Sequence, residues 1–294
     1  MPGALLYGLI LFDIIEGKKY IGGPAINIAL HMAYHNFNST LVSCVGDDEL
    51  GLSAKKLLSD IGVSTDLITT SEDCETGWVK VFLDDDGNPS FEIIKPVAYD
   101  YISLSPQQIV KLAQSTFDIF YFGTVVQRNS TSADTLKRLI QKVKFKESFY
   151  DINLRSGHYT KEIVDFSMSK TNIFKLNDGE LHLVGELFEL EYKDEERLVN
   201  WIFEKYPMIK TILLTRGENG ATVFTPESKK DIKGIKVKVK DTVGSGDAFS
   251  AGFIMEYIKS GDIFLAAEKG NALGAYVATK SGAVPELEEK KLEN

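Results

Sequence analysis

Five short runs constrain this chain more than any other feature: ALLYGLILFDI (4–14), DIFYFGTVV (118–126), SFYDINLR (148–155), TNIFKLN (171–177) and TILLTRG (211–217). Each is apolar at consecutive positions rather than alternate ones; the first ends near an acid, and the other four run into polar or glycine residues. A strand that is apolar on both faces must be covered on both faces, which a parallel sheet flanked by helices provides. Helical patterns lie between strands. GGPAINIALHMAYHN (22–36) places Ile26, Leu30 and Ala33 at helical spacing behind a Gly-Gly-Pro opening. LSAKKLLSDIGV (52–63) is an amphipathic helix stopped by Gly62. The expected class is α/β, with three α/β/α layers around a mostly parallel central sheet. In such a sheet ligands bind outside the C-terminal strand ends, so the polar strand ends are where chemistry is expected.

One stretch departs from this pattern. TGWVKVFLDDDGNPSFEII (76–94) alternates polar and apolar residues around an Asp-Gly turn, the mark of an antiparallel hairpin with one exposed face. It reads as an inserted flap. The expectation is a single α/β domain over 1–294 that carries this flap. ELEEKKLEN (286–294) reads as a solvated tail.

Composition narrows the function. Thirty-three basic residues against 42 acidic ones give a net charge of −9, which argues against non-specific nucleic-acid binding. No run approaches the roughly 20 apolar residues of a membrane span. The apolar N-terminus lacks a basic leader and is interrupted by Asp13, a poor signal peptide. Cys44 and Cys74 have no metal-ligand spacing and read as reduced thiols. His31, His35, His158 and His182 have none either. The expectation is a cytoplasmic protein with no membrane partner.

The chemistry concentrates in VKDTVGSGDAFSAGF (239–253). Gly244, Ser245, Gly246 and Asp247 stand where a helix must begin, and the first N–H groups of a helix have no intrahelical partner. Glycine lets a phosphate approach that backbone, and the helix dipole favours its charge. Phe249, Phe253 and Tyr257 follow at helical spacing and would dock the helix. An acid beside an anion nest is electrostatically awkward unless it works. In phosphoryl transfer to an alcohol, Asp247 can accept the hydroxyl proton while the amides hold the transferred group. A dipole-complementing helix residue is the other reading of the same acid. The chain has no GxxxxGK[ST] segment, and no GxGxxG after its first strand, so a P-loop is excluded and a dinucleotide site is disfavoured.

These residues resemble the signatures of the PfkB (ribokinase-like) carbohydrate kinases. DTVGSGDAFSAGF matches the family's DTxGAGDxF, and GGPAINIA matches its GGxxxNxA. The likeness continues through VGDDELG, TGWVKVFLDDDG, DINLR, LTRGENGA and NALGAYVATKSGAVP. FDIIEGKKYIGG, FEIIKPVAYD and YFGTVVQRN look closest to bacterial fructokinases.

The resemblance implies a ribokinase-like three-layer α/β/α fold with a small β lid formed from about 11–21 and 75–100, and it implies roles. Asp247 matches the catalytic base, and Gly244, Ser245 and Gly246 the anion hole. Asp13, Gly22, Gly23 and Asn27 match sugar-binding positions, and Arg155 faces substrate or phosphate. Asn177 and Glu180 match the NxxE motif, which supports the nucleotide phosphates and Mg2+, often through water. Thr215, Gly217 and Asn271 lie where ATP is usually contacted. Asp241 and Val243 match the neighbourhood of a monovalent-cation site, K+ in the family. Three positions depart from the family pattern: Leu9 replaces a usual Glu near the sugar pocket, Ser245 replaces the commoner alanine, and AYHNFN (33–38) replaces an Arg-Leu-Gly helix end. The implied activity is ATP-dependent phosphorylation of a primary hydroxyl on a small sugar, fructose foremost, by a homodimer. A ribokinase, a 2-keto-3-deoxygluconate kinase, a nucleoside kinase and a non-catalytic sugar or nucleotide sensor are the alternatives.

Overall fold

A computed structural model of the chain describes residues 3–15, 17–83, 89–191 and 194–285. Nine strands form the central sheet. In spatial order they are β13 (Lys229–Lys233), β12 (Gly220–Phe224), β11 (Thr211–Thr215), β10 (Ile173–Asn177), β9 (Lys144–Asp151), β8 (Thr116–Gly123), β1 (Ala4–Tyr7), β4 (Ser39–Gly46) and β5 (Ile68–Ser71). From β11 to β5 every pairing is parallel. Only β12 and β13 pair antiparallel, at one edge.

The consecutive apolar residues of each strand divide between two cores. Leu5, Tyr7, Phe120, Phe122, Tyr150, Phe174 and Leu214 point to one face, where they meet Leu112 of α3 (Pro106–Ala113), Leu136 of α4 (Ser130–Lys142), Val164 of α5 (Lys161–Ser169), Leu181 of α6 (Asp178–Leu187) and Leu198 of α7 (Glu195–Lys205). Ala4, Leu6, Ile119, Phe149 and Leu213 point to the other. There they meet Ile26 of α1 (Pro24–Tyr34), Ala54 of α2 (Glu49–Asp60), Phe253 of α8 (Ser245–Ser260) and Ala266 of α9 (Ile263–Ala278). The result is the three-layer α/β/α arrangement. Phe122, Tyr150 and Phe174 stack across three neighbouring strands, with ring centroids 5.3 and 5.6 Å apart. Side-chain period 2 in a sheet covered on both faces explains why the sequence shows no alternation here.

The first apolar run is two strands, not one. β1 ends at Tyr7, and β2 (Leu11–Ile15) belongs to a second sheet with order β3 (Lys18–Gly22), β2, β6 (Gly77–Leu83), β7 (Pro89–Ile93). The chain leaves the central sheet at Gly8, where a Cβ would sit 2.5 Å from that of Ala25. Helix α1 packs directly on this backbone, and only glycine leaves room for it. β6 and β7 are antiparallel, with Val79 opposite Ile93. Residues 84–88, which carry the expected Asp-Gly turn, and the tail 286–294 lie outside the described residues.

Candidate active site

The C-terminal strand ends bring the sequence motifs together. Gly8 and Leu9 follow β1, Asp151 ends β9, Asn177 ends β10 two residues beyond Lys175, and Thr215 ends β11 directly opposite Asn177. Over them stands the N-terminus of α8. A cavity of about 450 Å3 lies at the other ends of β1, β4 and β8, lined by Ala4, Ser39 and Thr116 among others, and contains none of these groups.

Gly244 caps α8 in the left-handed region, φ 75° and ψ −4°. A Cβ there would lie 2.4 Å from Ala283 Cα, so the turn requires glycine twice over. The amide of Ser245 donates to the Thr242 carbonyl (3.2 Å), and that of Ala248 to Gly244 (2.8 Å). Not all four amides of the nest are therefore available: the Ser245 N–H is used within the protein. Those of Gly246 and Asp247 have no acceptor among the described residues. α8 is held in place by α9, against which Gly252 packs so closely that a Cβ would come within 2.9 Å of the Lys269 carbonyl oxygen.

Asp247 sits half-buried in the first turn of α8. Burial pushes its carboxyl up to about 6, and nearby Asp151 adds to this, while the Asn27 hydrogen bond, Lys175 and Arg155 hold it down. Asn27, on α1, donates from Nδ2 to Asp247 Oδ2 at 2.7 Å. Its Oδ1 is buried without a partner among the described residues. Gly23 opens α1 at φ 115°, with no space for a Cβ against the Leu9 carbonyl oxygen (2.6 Å). Asp13, on β2, is pushed to about 6 by burial alone, and a Cβ on Gly22 would approach its Oδ2 to 3.2 Å. Arg155 is exposed, with Nη1 on the Leu154 carbonyl (3.0 Å) and its charge within reach of Asp247.

The NxxE pair forms a capping box at the start of α6. Asn177 Oδ1 accepts from the Glu180 amide at 2.8 Å. Glu180 Oε2 accepts from the Asn177 amide and Oε1 from that of Leu154, both at 2.9 Å. A carboxylate offers about four lone-pair sites, so two remain for water. With one amide already bonded to each oxygen, the carboxylate suits a cation held through water. Among the described residues no three His, Cys, Asp or Glu side chains are grouped to hold a metal. Asp241 accepts from the amides of Val243 (2.9 Å) and Gly282 (3.1 Å), tying the loop before α8 to the loop after α9. Val243 is exposed. Gly217 stands in open space at φ 55°, and Asn271 Nδ2 donates to the Lys233 carbonyl at 2.9 Å.

Sequence reasoning missed Lys175 and Asp151 as site residues. Lys175 is buried, and its Nζ bonds Asp151 Oδ2 at 2.8 Å. The Ser250 hydroxyl lies 3.1 Å from the same Oδ2 and from the Gly246 carbonyl oxygen. Lys175 is thereby placed under the nest, 3.7 Å from where a Gly246 Cβ would stand.

The chain is similar to known proteins over most of its length. The model of the pfkB family carbohydrate kinases matches residues 13–290. Arabidopsis thaliana probable fructokinase-7 is 26% identical over 95% of this chain and 84% of its own length. The nucleoside kinase of Methanocaldococcus jannaschii is 25% identical over 94% of this chain and 84% of its own. Among solved structures, Vibrio cholerae fructokinase with fructose, ADP and calcium bound superposes with a TM-score of 0.81 at 23% identity, covering 96% of this chain and 94% of that one. The chain belongs to the pfkB family of carbohydrate kinases, phosphotransferases that act on an alcohol group.

Proposed function

We propose that the protein transfers the γ-phosphoryl group of ATP to a primary hydroxyl of a small sugar, fructose to fructose 6-phosphate being the foremost case. The observation that carries this reading is the pair of unbonded amides at Gly246 and Asp247 with the Asp247 carboxylate beside them, set over the strand ends. ATP supplies the phosphoryl group, and Glu180 would hold Mg2+ through water, where the cation would neutralise charge on the phosphates. Asp13 and the free Asn27 oxygen orient the sugar hydroxyls. Asp247 takes the proton from the attacking hydroxyl as its oxygen bonds to phosphorus and the bond from phosphorus to the bridging oxygen of ADP breaks. The amides of Gly246 and Asp247 hold the transferring group, and loss of one such donor costs about 10²–10³ in rate. Arg155 places a second charge on the phosphate side. Thr215, Gly217 and Asn271 receive the nucleotide, and Asp241 with Val243 would hold K+. The four-stranded sheet of β2, β3, β6 and β7 closes over the sugar as a lid and pairs two copies, and closure excludes water as a competing acceptor.

A screen for ADP release over fructose, ribose, 2-keto-3-deoxygluconate, tagatose and adenosine tests the reading. Strong turnover with fructose is expected. Preference for adenosine would make the protein a nucleoside kinase, and no sugar-dependent release with any acceptor would make it a binding protein.

A further inference from the structure

Arg128 closes the short helical turn Val125–Gln127 that follows β8, and its side chain is 6% exposed. A buried guanidinium keeps its charge and must find acceptors for its N–H groups. Its hydrogen bonds lead to three separate segments. Nε and Nη2 grip the two carboxylate oxygens of Asp100 at 2.6 and 2.8 Å. Nη2 also donates to the Ile94 carbonyl oxygen at 2.7 Å. Nη1 lies 3.0 Å from Nδ1 of His158. A guanidinium can only donate, so that nitrogen accepts, and the neutral imidazole carries its proton on Nε2. Asp100 alone would balance the charge. The bonds to Ile94 and His158 need a different explanation.

Both lead toward the site. Ile94 is the first residue beyond β7, and its N–H donates to the Trp78 carbonyl on β6 at 3.4 Å. Its carbonyl therefore marks the base of the four-stranded sheet. His158 closes the turn that carries Arg155: its amide donates to the Arg155 carbonyl at 3.0 Å, with Gly157 between them at φ 76°. The charge of Arg155 is within reach of Asp247. We infer that Arg128 is a positioning residue that holds the base of the β2, β3, β6 and β7 sheet and the Arg155 turn in one fixed relation, with His158 as the link to the turn. The effect on turnover rests on the kinase reading, but the link between the two segments does not.

Acid should break that link. Burial holds the pKa of the His158 ring below the usual histidine value, and Arg128 and Lys95 add to this, while Asp100 opposes it. Once protonated, Nδ1 has no lone pair to offer, and two cations face each other. Two substitutions separate this role from local packing, and neither touches the Arg128 pair with Asp100. His158→Ala removes the acceptor. His158→Asn sets an amide oxygen near the Nδ1 position that takes up no proton. At pH 8, deuterium exchange in His158→Ala should rise about tenfold both in the turn (153–158) and at the base of the sheet (93–98), as for loss of a bond to a charged group. His158→Asn should return both segments to near the parental rate. A rise confined to the turn overturns the inference. With the best alcohol acceptor, KM in His158→Ala should exceed the parental value by about fivefold at pH 8. That ratio should shrink toward one below the pH at which the His158 ring titrates by NMR, since the parent then loses the same bond. Asp13 and Asp247 titrate in every variant and cancel in the ratio. His158→Asn should match the parent at pH 8. A ratio that does not move with pH, or an asparagine variant that behaves like the alanine one, refutes the role. If the parent phosphorylates no alcohol, the kinase reading fails by itself, and the exchange measurement decides alone.

Discussion

Replacing Asp247 with asparagine should stop turnover and stabilise the fold, but only at a pH where the acid is ionised. The Asp247 carboxyl is held at about 6 against an ordinary 3.8, chiefly by burial. The folded chain therefore binds this proton more tightly than the unfolded chain does, and stability falls as pH rises from about 4 to about 6. The whole displacement is worth about 3 kcal/mol at 1.36 kcal/mol per pH unit, with the Asn27 hydrogen bond already included. An amide carries no charge to desolvate and keeps a carbonyl oxygen to accept from Asn27 Nδ2. At pH 8 the variant should gain up to about 3 kcal/mol, or about 6 °C in Tm at about 2 °C per kcal/mol for a chain of this length. At pH 4 parent and variant should melt together. Turnover should fall by at least about 10²–10⁴, the range for loss of a positioned general base. Parental kcat/KM should rise with pH through about 6, and Asp13, also held at about 6, would steepen that limb. Thermal melts at the two pH values and an ADP-release assay test the set. A Tm gain of equal size at pH 4 and pH 8, or near-normal turnover, would refute the assignment of Asp247 as a strained, working base.

Three further outcomes follow from the same geometry. Asn27→Ala removes the 2.7 Å donor that holds Asp247 down, so the acid limb of the kcat profile should move to higher pH and the sugar KM should rise. Gly246→Ala and Gly244→Ala should separate folding from catalysis. A Cβ at Gly246 meets nothing closer than Lys175 Nζ at 3.7 Å, so that variant should keep its Tm and lose about 10² or more in kcat as the methyl group enters the phosphate's approach. A Cβ at Gly244 meets Ala283 at 2.4 Å with φ at 75°, so that variant should lose stability by about 1–3 kcal/mol in urea titration. Arg128→Ala leaves Asp100 buried without the guanidinium that binds it through Nε (2.6 Å) and Nη2 (2.8 Å), and should cost about 3–5 kcal/mol in the same titration.

Much of the fold was legible because a parallel sheet covered on both faces leaves a strong mark: consecutive apolar residues ended by polar ones. The break at Gly8 was not legible, because β1 and β2 are both apolar and nothing in ALLYGLILFDI marks a change of sheet. What decides it is the packing of Ala25 on the Gly8 backbone, a contact 17 residues away in sequence. The nest at Gly244–Asp247 was readable as a local motif, since helix starts and glycines act locally. Its limits were not. That the Ser245 amide is taken by Thr242 depends on how the chain turns, which the order of residues does not state.

Lys175 and Asp151 fall between these cases. Each interrupts an otherwise buried strand, FKLN and FYDI, and a lone charge there is too costly to survive without a partner. Read separately, each resembles the ordinary polar end of a strand. Read together, they are two opposite charges near the C-terminal ends of consecutive parallel strands, and in the sheet they meet in register. The signal was the pairing of two anomalies rather than either motif. Asp151 cancels most of the lysine's charge within the protein. Yet it leaves the ammonium protonated beneath the first turn of α8, its charge balanced within the resting fold. A lone lysine at this depth would tend to lose its proton, and a lone arginine would demand more acceptors than the strand ends provide. The buried carboxylate is what makes a buried cation tolerable there.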